Sequence, residues 1–212
     1  MHTTLYALKP WYGRRLAGIR RVLVAWRVSP HAVTAACVGC GAVAGAALAT
    51  LRPGLWLACV VTVALAARLA AANLDGAIAR ERGRTSRAGS VLNELGDRLA
   101  ELATLAGCLV LAPGTLVVVA AGASLLPSWV SLAGAAAGAP RLQGGPAGKT
   151  ERCVLLVGFA ASGSPWWLVA LATGALLTAI VRLVRLCRRD RATPQLDATV
   201  RSGPPVSPEV AA

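Results

Sequence analysis

The sequence predicts an all-α protein: an integral membrane bundle of six transmembrane helices with an N-terminal interfacial amphipathic helix. Three observations carry this expectation. Of the 212 residues 56% are apolar, and the mean hydropathy is +0.60, more than a soluble domain of this size needs. The apolar residues fall in blocks near the length of about 20 residues that crosses a bilayer, divided by short turns such as Arg52-Pro53-Gly54, Pro113-Gly114 and Gly163-Ser164-Pro165. The basic residues gather in alternate gaps between those blocks.

Residues 1–30 read as a cytoplasmic interfacial segment. Leu5, Leu8, Trp11, Leu16, Ile19, Val22, Leu23 and Trp26 recur at near-helical spacing among arginines, the pattern of a helix lying in the headgroup plane. Ser29-Pro30 then opens the first span, because proline is tolerated in a first helical turn. The six spans are expected over residues 33–51, 54–78, 90–111, 114–138, 152–163 and 166–184, within one membrane domain over 31–190. The fifth block is short, and it reaches across only if its helix begins near Thr150. Residues 191–212 are polar and proline-rich and are expected to form a disordered cytoplasmic tail.

Charge orients the bundle. Lys and Arg number six in the first thirty residues, four over 79–89, three over 139–152 and six from Arg182 onward, against one, Arg52, in the three opposite turns. The positive-inside rule then places both termini and the two longer loops in the cytoplasm, in a multi-pass protein of the cell membrane. The net charge of +13 reads as orientation and contact with anionic membrane lipid. No nucleic-acid partner is expected, since the basic residues are scattered over membrane-proximal segments. No short apolar stretch with a small-residue cleavage site follows the basic N-terminus, so no signal peptide is expected. The cysteines Cys37, Cys40, Cys59, Cys108, Cys153 and Cys187 lie in or beside expected spans. They are read as small packing residues, because Cys37-x-x-Cys40 has neither a second pair nor a nearby histidine.

Residues 73–101 break the apolar pattern. They include Asp75, Glu94, Asp97 and Glu101, in a chain that holds nine acids. An ionisable group at the centre of a span costs roughly 2.5–3.5 kcal/mol, so such groups are expected to face a cavity, a metal or a substrate. The segment reads Asp75-Gly76-x2-Ala79-Arg80-x8-Gly89-x3-Asn93-x3-Asp97. This resembles the signature D-x2-D-G-x2-A-R-x8-G-x3-D-x3-D of the CDP-alcohol phosphotransferase (CDP-alcohol phosphatidyltransferase) family, six-helix membrane enzymes. Those enzymes move a phosphatidyl or other substituted phosphoryl group from a CDP-linked donor to an alcohol and release CMP. The signature covers residues 72–97, and the helix pattern, Ser29-Pro30 with Thr34, and the loop Gly145 to Thr150 extend the likeness to most of the chain.

The residues also support the reading on their own. Asp75 falls at the cytoplasmic end of the second span, and Asn93, Asp97 and Glu101, at i, i+4 and i+8, share one face of the third. Oxygen ligands from two helices suit a hard divalent cation that can neutralise a diphosphate. Gly76 and Ala79 remove bulk where a nucleotide would approach the backbone, and Arg80 can hold phosphate charge in a fork. The resemblance implies roles: Asp75 as a metal ligand; Gly76, Ala79 and Arg80 as the CDP-facing segment; Gly89 as the turn into the third span; Asp97 as metal ligand and general base for the acceptor hydroxyl. It also implies Mg²⁺ or Mn²⁺, a CDP-diacylglycerol-type lipid donor, an alcohol or alcohol-phosphate acceptor, and a homodimer.

Two positions depart from the signature. Its first aspartate falls at Ala72, which offers no ligand, and its third at Asn93, which offers a neutral carbonyl oxygen. Glu101, one turn beyond Asp97, is the expected substitute, giving the metal set Asp75, Asn93, Asp97 and Glu101. Lys149, Arg152 and Arg185 are expected to bind an acceptor phosphate, with Arg141 and Arg182 as further cations. Arg68, seven residues before Asp75, either balances buried acids or snorkels; Arg98 is expected to reach the interface, and Glu94 to be solvated or arginine-paired. The function expected is phosphatidyl transfer in phospholipid biosynthesis. The alternative is a catalytically weak or silent relative that binds nucleotide, lipid or a partner, motivated by Ala72 and Asn93. An ion transporter is disfavoured by the cytoplasm-end position of the acids.

Overall fold

The structure is a computed structural model that describes residues 9–83 and 86–192. Leu5, Leu8, Arg84 and the tail from residue 193 lie outside the described residues. Among the described residues seven α-helices follow one another: α1 (Lys9–Ala25), α2 (Pro30–Thr50), α3 (Leu55–Glu81), α4 (Arg87–Gly107), α5 (Gly114–Ala136), α6 (Lys149–Ser162) and α7 (Trp166–Ala192), with a 3₁₀ turn, Cys108–Val110, after α4. Helices stand at all six expected positions, α2 to α7. Four of them, α2, α3, α5 and α7, are long and apolar enough to cross a membrane. In α4 the polar residues that break the hydropathy are the candidate site itself. The 14 residues of α6 rise only about 21 Å, less than the roughly 30 Å hydrocarbon core, and the helix begins at Lys149, near the expected Thr150 and inside a polar cavity.

Local chemistry sets the ends. Ser29 caps α2, its Oγ accepting from the Ala32 amide at 3.1 Å, with Pro30 in the first turn. Ser86 caps α4 in the same way through the Gly89 amide at 2.9 Å. Gly163, at φ +69°, ends α6 in a left-handed conformation that favours glycine.

Helix α2 packs against both α3 and α4, α5 packs on α7, and α6 bridges α3 to α7. The α2–α4 contact depends on glycine. A Cβ on Gly41 would lie 2.3 Å from the Ala100 carbonyl oxygen, one on Gly45 2.1 Å from that of Ala103, and one on Gly107 2.0 Å from that of Gly45. Such small-residue faces let membrane helices approach backbone to backbone. Leu48, Leu57, Val61, Leu65, Leu105, Leu156, Phe159, Leu168 and Leu171 fill the core between the helices. Leu55, Trp56, Val63, Val118, Val119 and Trp166 remain exposed, as expected of faces that meet lipid rather than water.

Helix α1 lies against α3. Leu16 and Leu23 turn toward the bundle, while Ile19, Val22 and Trp26 stay exposed, so the apolar residues of this segment serve two surfaces. Arg82 donates to the carbonyls of Val28 at 2.8 Å and Val24 at 3.3 Å, tying the turn between α1 and α2 to the end of α3. Arg20 pairs with Glu81 at 3.1 Å.

Candidate active site

A cavity of about 610 Å³ opens between α3, α4, α5, α6 and the segment joining α5 to α6. Asp75, Gly76 and Arg80 enter it from α3, Asn93 and Asp97 from α4, and Lys149 and Arg152 from α6. The structure therefore brings together three helices whose site residues are separated by up to 77 positions in sequence (Asp75 to Arg152).

Asp75 is buried. One carboxylate oxygen accepts from the Thr34 hydroxyl at 3.1 Å, and the other accepts from the Gly76 amide. Thr34 also bonds back to the Pro30 carbonyl at 3.2 Å, so the first turn of α2 helps to aim the acid. A Cβ on Gly76 would meet only the tip of Arg80, at 3.4 Å, which leaves the backbone here open to close approach. Arg80, at the last turn of α3, has no ion pair among the described residues.

Asp97 is buried on α4. Its Oδ2 forms an ion pair with Lys149 Nζ, while its Oδ1 is buried with no hydrogen-bond partner. Its backbone carbonyl accepts from Arg68 Nη2 at 3.0 Å. Arg68 is itself buried, so of its two expected roles the structure takes the internal one. It stiffens α4 from α3 and does not snorkel.

Glu101 departs from expectation. It is 3% exposed and stands outside the residues that line the cavity. Arg152 reaches it through Nε at 2.6 Å and Nη2 at 3.3 Å, and Arg98 through Nη1 at 2.7 Å. Both oxygens are filled by guanidinium donors, which leaves none for a cation. Arg98, expected at the interface, is buried between Glu101 and Glu94, the latter at 3.7 Å. Glu94 is arginine-paired, as anticipated, and its second partner is Arg141.

Of the other expected residues, Ala79 and Gly89 are not among those lining the cavity; Gly89 instead serves the α4 cap. Lys149 and Arg152 line it but are already engaged, and Arg185 does not line it. The segment between α5 and α6 is a wall rather than a free loop. Its Leu142 carbonyl accepts from Ser131 at 2.9 Å, its Ala147 amide donates to Thr178 at 2.9 Å, and its Gly144 carbonyl accepts from Arg182 at 3.0 Å. Gly145, at φ +133°, sits where a Cβ would lie 2.3 Å from Thr178 Cγ2.

No family model matches the chain. The chain is 29% identical over 170 residues to the inner membrane protein YnbA of Escherichia coli, covering 78% of this chain and 84% of that one. Solved structures of the phosphatidylinositol phosphate synthase of Mycobacterium tuberculosis are also similar. The form with CDP-DAG bound superposes with a TM-score of 0.63 at 25% identity, over 82% of this chain and 94% of that chain. The form in complex with manganese and citrate gives 0.63 at 26%, over 80% and 88%. The chain is thus similar in fold and sequence to a phosphatidylinositol phosphate synthase, a likeness consistent with a divergent CDP-alcohol phosphatidyltransferase. It is a membrane protein, by this kinship and by its four long apolar helices.

Against the CDP-alcohol phosphatidyltransferase signature, the donor set here is reduced. Among the described residues no three of His, Cys, Asp and Glu form a metal-holding group. Asp75 and Asp97 share the cavity with the Asn93 amide, while Glu94 and Glu151 also line it and Glu94 is held by arginines; Asp97 Oδ1 is a buried acceptor lacking a donor. An all-oxygen set with an unsatisfied carboxylate oxygen fits a hard divalent cation, held with less charge than four aspartates would give.

Proposed function

We propose that this chain transfers a phosphatidyl group from a CDP-diacylglycerol-type lipid to an alcohol and releases CMP, in phospholipid biosynthesis. The observation that carries the reading is the meeting of Asp75, Arg80 and Asp97 in one cavity on a fold whose solved relative holds CDP-DAG. Arg80, without an ion pair among the described residues and beside the open backbone of Gly76, is suited to the donor diphosphate. Asp75, Asn93 and Asp97 would hold a divalent metal, manganese or magnesium, which when bound neutralises diphosphate charge; the manganese complex of the relative supports this.

Asp97 is the proposed base. The acceptor oxygen bonds to the lipid-side phosphorus, and the bond from that phosphorus to the bridging oxygen breaks. Its electron pair leaves on CMP, and the hydroxyl proton passes to Asp97. The cavity would face the cytoplasm, with both termini, six helices in the membrane and α1 at its surface. Pairing of two chains is part of the same reading.

The test is CMP release by purified protein in detergent, with CDP-diacylglycerol, Mn²⁺ or Mg²⁺ and a panel of alcohols. Asp97→Asn should lower turnover by about 10²–10⁴-fold, the range for a lost general base, with folding intact. Unchanged turnover in that variant would remove the base assignment.

A further inference from the structure

We propose that the acceptor is an uncharged polyhydroxy alcohol rather than an alcohol phosphate, because Glu94 and Glu101 already occupy the guanidinium groups that a phosphate would need. The inference rests on the transferase reading above and names the substrate class of the same site.

Besides Arg80, the cations lining the cavity are Arg98, Arg141, Lys149, Arg152 and Arg182. Each is committed to another group of the protein. Arg152 spends Nε and Nη2 on Glu101 and donates Nη1 to the Ala147 carbonyl at 3.1 Å. Arg98 is shared between Glu101 and Glu94, Arg141 is held by Glu94, and Lys149 by Asp97. Arg182 donates to the carbonyls of Gly144, at 3.0 Å, and Pro127, at 2.6 Å.

A phosphate is recognised by guanidinium forks whose N–H groups are free to face it. Here the forks of Arg98, Arg141 and Arg152 face carboxylates and that of Arg182 faces backbone carbonyls. Glu101 is 3% exposed, and the side chains of Arg152 and Glu101 are each 4% exposed. Turning these arginines toward a ligand would strand a buried carboxylate, which is strongly unfavourable. The acids also cancel the field that would draw in a dianion. What this end of the cavity offers beside those pairs is Ser128, Ser131, Thr150 and the backbone of Gly144 and Gly145, with the Glu151 carboxylate, which repels an anion. Hydroxyl groups both donate and accept, and they match such a lining. Arg80, a cavity cation with no ion pair or carbonyl partner among the described residues, lies at the α3 end with Gly76, where the donor's diphosphate belongs. The reaction balances with a neutral acceptor. The alcohol oxygen forms the bond to the lipid-side phosphorus, CMP leaves with the bridging oxygen, and the proton goes to Asp97.

The experiment measures CMP release with CDP-diacylglycerol and Mn²⁺ for glycerol and inositol against glycerol 3-phosphate and inositol phosphate. It also measures equilibrium binding of glycerol 3-phosphate to the same protein without donor. The expected result is kcat/KM at least about tenfold higher for the neutral polyols and no saturable binding of the alcohol phosphate. Glu94→Gln, which releases Arg141 and relaxes Arg98, should gain glycerol 3-phosphate binding and narrow the preference. A higher kcat/KM with an alcohol phosphate, or with a cationic amino alcohol, overturns the inference and leaves the transferase reading standing. Saturable binding of glycerol 3-phosphate by the unaltered protein overturns it even where no CMP is released. No CMP release with any acceptor removes the transferase reading, and the inference about its acceptor falls with it. Failure of Glu94→Gln to gain that binding overturns the assignment to the glutamates.

Discussion

Lys149, the first residue of α6, forms an ion pair with Asp97 in the middle of α4, 52 positions earlier in the chain. The pair fixes one oxygen of Asp97 and leaves the other buried without a donor. Its Lys149 side chain is 36% exposed and its Asp97 side chain 7%, so the lysine sits on the cavity side of a nearly enclosed acid. Lys149→Met should therefore leave the helices in place and release the orientation of Asp97. The expected loss in kcat/KM for CMP release is roughly 10–100-fold, the usual effect of removing a group that orients a reacting residue. Activity equal to the unaltered protein would show that Asp97 needs no such partner.

Glu101→Gln separates a structural acid from a metal ligand. Glu101 is enclosed by Arg98 and Arg152, and removing its charge leaves the buried Arg152 guanidinium without a counter-ion and Arg98 with Glu94 alone. The expected cost is on the order of 3 kcal/mol or more, seen as a lower thermal unfolding temperature in detergent. The metal concentration at half-maximal CDP binding should not move. A shifted metal midpoint with unchanged unfolding would return Glu101 to the ligand set.

This residue also shows where sequence stops being legible. The helices, their order and the pairing of Asp75 with Asp97 follow from hydropathy, caps and the spacing of one continuous segment. Glu101 lies on the Asp97 face by helical periodicity, and that inference is sound as far as it goes. Its meaning is decided by Arg152, 51 positions away on another helix, and no local pattern announces that contact. The segment from 137 to 148 carried the same difficulty. Its polar, glycine-rich composition reads as a loop, whereas Ser131, Thr178 and Arg182 from α5 and α7 bind its backbone into the cavity wall. Arg68 stays open between balancing acids and snorkelling, and Arg98 reads as an interface residue, because the Asp97 carbonyl lies on another helix and the burial of Glu101 beside Arg98 depends on tertiary packing.

Helix packing gives a prediction independent of catalysis. Gly39 and Gly45 lie on the same helix, α2, yet a Cβ on Gly39 meets nothing within 4 Å and one on Gly45 would lie 2.1 Å from the Ala103 carbonyl oxygen. Gly39→Ala should keep or slightly raise stability, by up to about 1 kcal/mol, through helix propensity. Gly45→Ala must push α2 and α4 apart, costing about 1–3 kcal/mol or more. Thermal unfolding of the two variants in one detergent compares them directly. Equal unfolding temperatures would mean that the α2–α4 approach is looser than the backbone geometry requires.

The reduced donor set predicts a gain as well as losses. Ala72 and Asn93 both line the cavity that holds Asp75 and Asp97, so Ala72→Asp and Asn93→Asp each add a carboxylate where the family signature has one. Cation affinity at oxygen sites rises with ligand charge. Each change should move the Mn²⁺ midpoint for CDP binding to lower concentration, by about tenfold, a difference of about 1.4 kcal/mol. The double variant should move it further, though by less than the product, since two new carboxylates in one cavity repel when no cation is bound. Midpoints identical to the unaltered protein would show that residues 72 and 93 do not face the cation. Asp75 and Asp97 would then account for the carboxylate part of the site by themselves.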